Sequence, residues 1–246
     1  SLYNDYYYAR IVLYTEADLP DGTTERIQEG IFTVVDSVKP SDTLEIVAYD
    51  DMYKADVNFV STLSYPISAQ MLLNEVCNKC GITLGSATFP NNSFQSQQAP
   101  EGLTGRQVIG YIAQIAGGNA IIDSTGHLKI VSYDMTPFDT QEEVTAGEIE
   151  TESGIHIISE YINDPDIGTD NVTITGVSVT IPAEDADSED EEYVVGTEEY
   201  AIKIDNPLIA GNEKTAVDFI AQSVIGITKR PFSGEFFPDP TIEFMD

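Results

Sequence analysis

Apolar positions along the chain change their period several times, and each change marks a predicted element. Residues 6–14 (YYYARIVLY), 31–36 (IFTVVD) and 44–49 (LEIVAY) are aromatic and β-branched runs. Turn-forming pieces separate them, Leu19-Pro20-Asp21-Gly22 and Lys39-Pro40-Ser41-Asp42, so they read as an antiparallel meander. The stretch Tyr49 to Asp56 then leaves the sheet. From Ser68 the period lengthens: Leu72, Leu73, Val76, Cys77 and Cys80 share one helical face, with Ser68 as N-cap and Gly81 as stop. A polar linker from Phe89 to Pro100 follows. Thr104 with Gln107 three residues later makes a capping box, and Val108, Ile109, Ile112, Ala113 and Ala116 form the stripe of a second helix ending at Gly117-Gly118. Residues 119–122 and 127–133 predict a hairpin turned at Asp123-Ser124-Thr125-Gly126.

Strand periods return in the last hundred residues, at 155–162, 171–181, 193–195 and 200–204. Asn212 is placed as the cap of a third helix with Ala216, Val217, Phe219, Ile220 and Val224 on one side and Gly226 after it. Residues 232–244 predict an extended end whose Pro238 and Pro240 cannot donate to a ladder. The expected fold class is β-rich α+β, with parts at 1–62, 63–145 and 146–246. The middle part is two helices plus a hairpin, and the last carries one helix and an acidic loop.

With 246 residues, 41% hydrophobic content, thirteen Tyr and ten Phe, the chain is expected to fold rather than stay disordered. Its first residue is Ser1, and it stops two residues after Phe244, so it reads as a trimmed piece of something larger. No apolar run approaches the ~18 residues that span a bilayer.

Charge changes the picture most. Eleven basic against forty-two acidic residues give a net −31, which disfavours stable binding to nucleic-acid phosphates or anionic lipid. The excess is uneven: residues 146–246 carry four basic and twenty-three acidic residues. A solvated loop from Glu184 to Glu192, seven carboxylates in nine residues, supplies much of it.

Candidate chemistry is sparse. Asp185, Asp187 and Glu189 match the opening of a calcium loop, but Asp190 stands where the turn needs Gly and Gly196 where the bidentate Glu belongs. Cys77 and Cys80 form a C-x-x-C at a helix C-terminus, where the dipole does not activate a thiol, so packing is expected. Only His127 and His156 remain for zinc, at no ligand spacing. Asp50-Asp51 and Glu142-Glu143 are adjacent pairs that a strand points to opposite faces, poor material for glycoside hydrolysis. There is no G-x-S-x-G, and Gly117-Gly118 lacks a dinucleotide frame. No catalytic, cofactor or metal residues are expected, and the chain reads as a non-enzyme.

Three segments carry a resemblance: Leu44–Asp56 with YPISAQMLLNEVCNKCGI, Leu103–Asp134, and GTEEYAIKIDNPLI with the following helix and KRPFSGEFFPDPTIEFMD. In that order they resemble the tail hub, or baseplate hub, proteins of bacteriophages and prophages of Gram-positive bacteria, myophage hubs among them. The resemblance implies two small β-barrels flanking an inserted α+β domain, in a homotrimeric ring that adapts tail tube to tip. Set against that resemblance, the sequence is expected to lack the C-terminal region that carries a peptidoglycan hydrolase or receptor-binding part in some members. It further implies other tail proteins as partners (tube or distal tail protein, tip or spike) and DNA passing through a channel without stable binding. The site would be the virion tail, assembled in the bacterial cytoplasm. Head-to-tail contacts would close the ring, with Tyr6, Tyr7, Tyr8, Phe236 and Phe237 as candidate aromatic anchors. The alternatives are a bacterial surface β-module binding carbohydrate and, third, a cell-wall hydrolase.

Overall fold

A computed structural model describes residues 6–18, 22–38, 44–133, 162–163, 166–183 and 188–235. Strands β1 (Arg10–Asp18), β2 (Thr24–Val38) and β3 (Glu45–Tyr49) make one antiparallel sheet in the order β1-β2-β3. Register shifts near Leu13/Tyr14 and Val34/Asp36 are bulges that coil the long central strand. The aromatic run does not begin the sheet as expected. Tyr8 has φ 64°, a left-handed turn, so the strand starts at Arg10.

The sheet leads into a 3-10 turn, Asp51–Ala55, capped by the Asp50 carboxylate. Short strand β4 (Ile67–Ser68) then opens helix α1 (Ala69–Cys80). The Ser68 hydroxyl accepts from the Met71 N–H at 3.2 Å, and Gly81 closes the helix at φ 68°. Strand β5 (Gln95–Ser96), inside the predicted polar linker, pairs with β4. Helix α2 (Gly105–Ile115) carries the full capping box of Thr104 and Gln107. Strands β6 (Gly118–Ile122) and β7 (Leu128–Ser132) form the expected hairpin, with Gly126 at φ 83°.

Beyond the hairpin the 171–181 run is broken in two. Strand β8 is Asp166–Ile167, β9 is Val172–Thr173 and β10 is Gly176–Ile181. The chain changes partners at Ile174–Thr175: Ile174 exchanges backbone bonds with Gly226 and Ile227, while the Thr175 carbonyl accepts from Thr197. Strand β11 (Glu191–Gly196) pairs antiparallel with β10, and β12 (Ala201–Ile204) lies parallel on its other side. Helix α3 (Glu213–Val224) follows, then β13 (Thr228–Lys229) on β9 and β14 (Phe232–Ser233) on β8. Asn212 sits at the N-cap but its side chain does not cap; its amide donates instead to the Gln95 carbonyl at 2.8 Å.

The fold is β-rich α+β with three α-helices among the described residues. The two expected barrels are absent from those residues: each sheet has two or three strands and none closes on itself. In the first sheet the reason is plain. β1 and β3 are separated by β2 alone, and among the described residues no hydrogen bond meets their outer edges.

The hydrophobic core is one cluster that runs from Ala55 to Val224. Helix α2 sits centrally in it, burying Val108, Ile109, Ile112 and Ile115 while touching α1, β6, α3 and the Pro207–Ile209 turn. Each such side chain contributes about 1.5–3 kcal/mol on leaving water. Asn206 locks the junction. Its amide donates to the Tyr111 carbonyl and to Gln114 Oε1, both at 3.0 Å, while its Oδ1 accepts from the Leu208 N–H at 3.0 Å. Asn206→Ala strands the Leu208 donor and should cost about 2 kcal/mol, read as a lower denaturant midpoint. Helices α1, α2 and α3 should still melt in a single transition by calorimetry, because they share that core.

Candidate assembly surfaces

Much of the β1–β3 sheet is open to solvent. Val34 is fully buried, yet Val12, Leu13, Ile46, Val47 and Tyr49 are exposed, Leu13 and Tyr49 by 52% each. Tyr6, Tyr7 and Tyr8 of the predicted anchor set lie in the exposed turn ahead of the sheet, Tyr8 at 68% exposure. Phe236 and Phe237 lie outside the described residues. So do His156, Glu142, Glu143, Asp185 and Asp187.

Few contacts hold this sheet to the rest. Arg10 reaches Asp51 Oδ1 at 2.5 Å, Lys54 adds a second cation to Asp51 at 2.9 Å, and Gln28 donates to the Ser124 carbonyl at 2.7 Å. Burial pushes the Asp51 carboxyl up, but the Lys54 and Arg10 contacts outweigh it and leave it below the usual range.

A groove begins where the sheet meets α2. Three adjoining depressions share Arg106 in their walls. One of 490 Å³ is lined by Phe32, Tyr49, Tyr53, Asp50 and Asp56; one of 310 Å³ by Met52 and Ile122; one of 230 Å³ by Ile109, Gly110 and Ala113. Arg106 is held in a fork by Asp56, Nε to Oδ1 at 2.6 Å and Nη2 to Oδ2 at 3.0 Å.

Elsewhere the candidate groups are occupied by structure. Cys77 is buried, and burial with the neighbouring Cys80 pushes its thiol up to about 12, so C-x-x-C packs against the core. Cys80 Sγ lies where a side chain on Gly105 would fall. His127 Nδ1 meets Thr125 Oγ1 at 2.7 Å in the hairpin turn, which Asp123 organises by accepting from the His127 and Thr125 N–H groups and from Lys129. Burial raises the Asp123 carboxyl, but those donors hold it at about 2. The outer strand β11 brings Glu191 to Lys214 at 2.7 Å and Glu192 to Lys203 at 3.5 Å. Among the described residues no group of three His, Cys, Asp or Glu stands close enough to share a metal, and no helix is long and apolar enough to cross a membrane.

Sequence reasoning missed Glu75. It lies on α1, nearly buried, and accepts from Ser61 Oγ at 2.6 Å, the Thr62 N–H at 2.6 Å, Thr62 Oγ1 at 2.8 Å and Lys79 Nζ at 2.9 Å. It thereby pins the 57–66 connection to the helix. Only the Glu75–Lys79 spacing of four was a local signal, and it is common on exposed helix faces.

No family model matches the chain, and no curated protein matches it. Among solved structures, the 43 kDa tail protein of prophage MuSo2 from Shewanella oneidensis is similar over 87% of this chain and 70% of that chain, at 13% sequence identity and a TM-score of 0.42. A likeness of that degree assigns neither family nor function.

Burial raises the Glu75 carboxyl, but its donors outweigh burial and hold it at about 2, against 4.5 when free. A depressed folded value means that its stabilisation is full above the free value and fades as pH falls through about 2. Glu75→Gln should cost on the order of 2 kcal/mol at neutral pH and flatten the loss of stability on acidification, measured by urea unfolding across that range. Leu13→Lys or Ile46→Lys, by contrast, should change monomer stability by no more than about 0.5 kcal/mol, because both side chains already face water.

Proposed function

We propose that this chain is a structural component of a phage or prophage tail tip, the hub that joins tail tube to tip, working as a homotrimer around a DNA channel. The observation that carries the reading is the β1–β3 sheet. It shows water a set of apolar side chains, and its outer edges have no hydrogen-bond partner among the described residues. Native proteins cover or blunt such edges when nothing is to be added to them. The segment-by-segment resemblance to hub proteins, in chain order, names the kind of assembly. In that ring the carboxylates on and before β11 belong to the channel wall, where like charge keeps DNA from sticking.

The test is solution mass against salt. At −31 the chains repel one another, so trimers should form at high protein concentration and become more abundant as salt rises toward ~1 M, where screening acts within about 3 Å. Leu13→Lys with Ile46→Lys should keep the protein monomeric with unchanged circular dichroism. A wild-type monomer under all these conditions, also when mixed with tube protein, would contradict the reading. Glu189→Lys with Glu191→Lys should slow genome release from otherwise complete particles; normal release would remove the channel role.

A further inference from the structure

The groove beside Arg106 follows one edge of a strand. In the β6–β7 hairpin, Asp123 donates its N–H to His127 and Tyr133 donates to Gly117, so hydrogen-bonded pairs fall at odd positions of β6. The backbone groups of Ala120 and Ile122 therefore point away from β7. Strand β7 confirms the parity from its own far side, because Leu128, opposite Ile122, spends both backbone groups on Thr83 and Gly85. Among the described residues nothing meets the Ala120 and Ile122 edge, and the 310 Å³ depression lies along it.

We propose that this edge is a second docking site, which accepts an extended segment of a partner protein as an added antiparallel strand. The occupant is defined by chemistry: small β-branched residues over the hairpin, and one Lys or Arg at the end that reaches the sheet. Gly110 leaves room for the former, since a side-chain carbon there would meet no atom within 4 Å. The basic end is assigned by what waits for it, the rings of Phe32, Tyr49 and Tyr53 beside Asp50 and Asp56. Arg106 cancels one of these carboxylates and leaves the other for an incoming cation. The net charge of −31 favours the same sign of partner. Backbone pairing supplies affinity and the aromatic end supplies direction. The site needs neither a trimer nor a phage tail.

The probe is the blocked peptide acetyl-Lys-Thr-Val-Thr-Val-Thr-amide, titrated into labelled full-length protein and followed by amide NMR. The Ala120 and Ile122 signals should shift saturably, and the version with Glu for Lys should bind at least tenfold more weakly. Ala120→Pro removes an outward donor without touching a β6–β7 bond and should abolish binding. Gly110→Leu fills the groove on an exposed helical position; it should raise Tm and abolish binding together. Shifts that ignore both substitutions, equal binding of the Glu peptide, or no shift with either peptide would overturn the proposal. So would self-association of the wild type that Ala120→Pro removes, since the occupant would then be a second copy of this chain.

Discussion

Helix α2 is buried on more than one side, and the arrangement of the other elements follows from that. Its Val108, Ile109, Ile112 and Ile115 leave only a narrow strip for solvent, where Arg106 and Gly110 sit. Helix α1, hairpin β6–β7, the 207–209 turn and helix α3 are the surfaces that complete its burial. Asn206 then satisfies the α2 carbonyl at Tyr111, so a polar contact fixes the register that apolar packing leaves loose. Elements distant in sequence are thus tied to one helix, while the β1–β3 sheet stands outside this arrangement and reaches it through a few polar links.

Those links show how so acidic a chain stays folded. With eleven cations for forty-two carboxylates, pairing every acid is impossible. Three of the buried or half-buried acids are instead each held by several donors at once. Asp51 has Arg10 and Lys54, Glu75 has Ser61, Thr62 and Lys79, and Asp123 has the turn amides with Lys129. Each carboxylate joins segments that would otherwise part: sheet to 3-10 turn, connection to helix, strand to strand. Most of the other described acids lie on the surface, where water and salt screen them.

Local signals made the middle of the chain legible. Ser68 and Gly81, Thr104 with Gln107, and Gly126 each act within one turn of backbone, so their elements could be placed from neighbours alone. What was not legible is decided at long range. The left-handed Tyr8, the change of partners at Ile174–Thr175, the parallel β12 and the Gln95 bond of Asn212 depend on segments tens of residues away. The β-rich α+β class was readable from periodicity, whereas barrel closure depends on pairings that no single strand encodes. Tyr6–Tyr8, expected as anchors, lie exposed ahead of the sheet, but the groove was not legible, because its walls come from the sheet, the 3-10 turn, α2 and β6.

A well-packed centre and a sheet that shows apolar side chains to solvent differ in a way that hydrogen exchange reads directly. In the isolated chain, amides of α1, α2, β10 and α3 should exchange only by global unfolding, while those of β1 and β3 exchange through openings smaller than the whole. On assembly, protection should rise in β1 and β3 and stay unchanged in the helices. Equal protection of sheet and helices in the lone chain, with no gain on assembly, would contradict the claim that this protein is a scaffold completed by its partners.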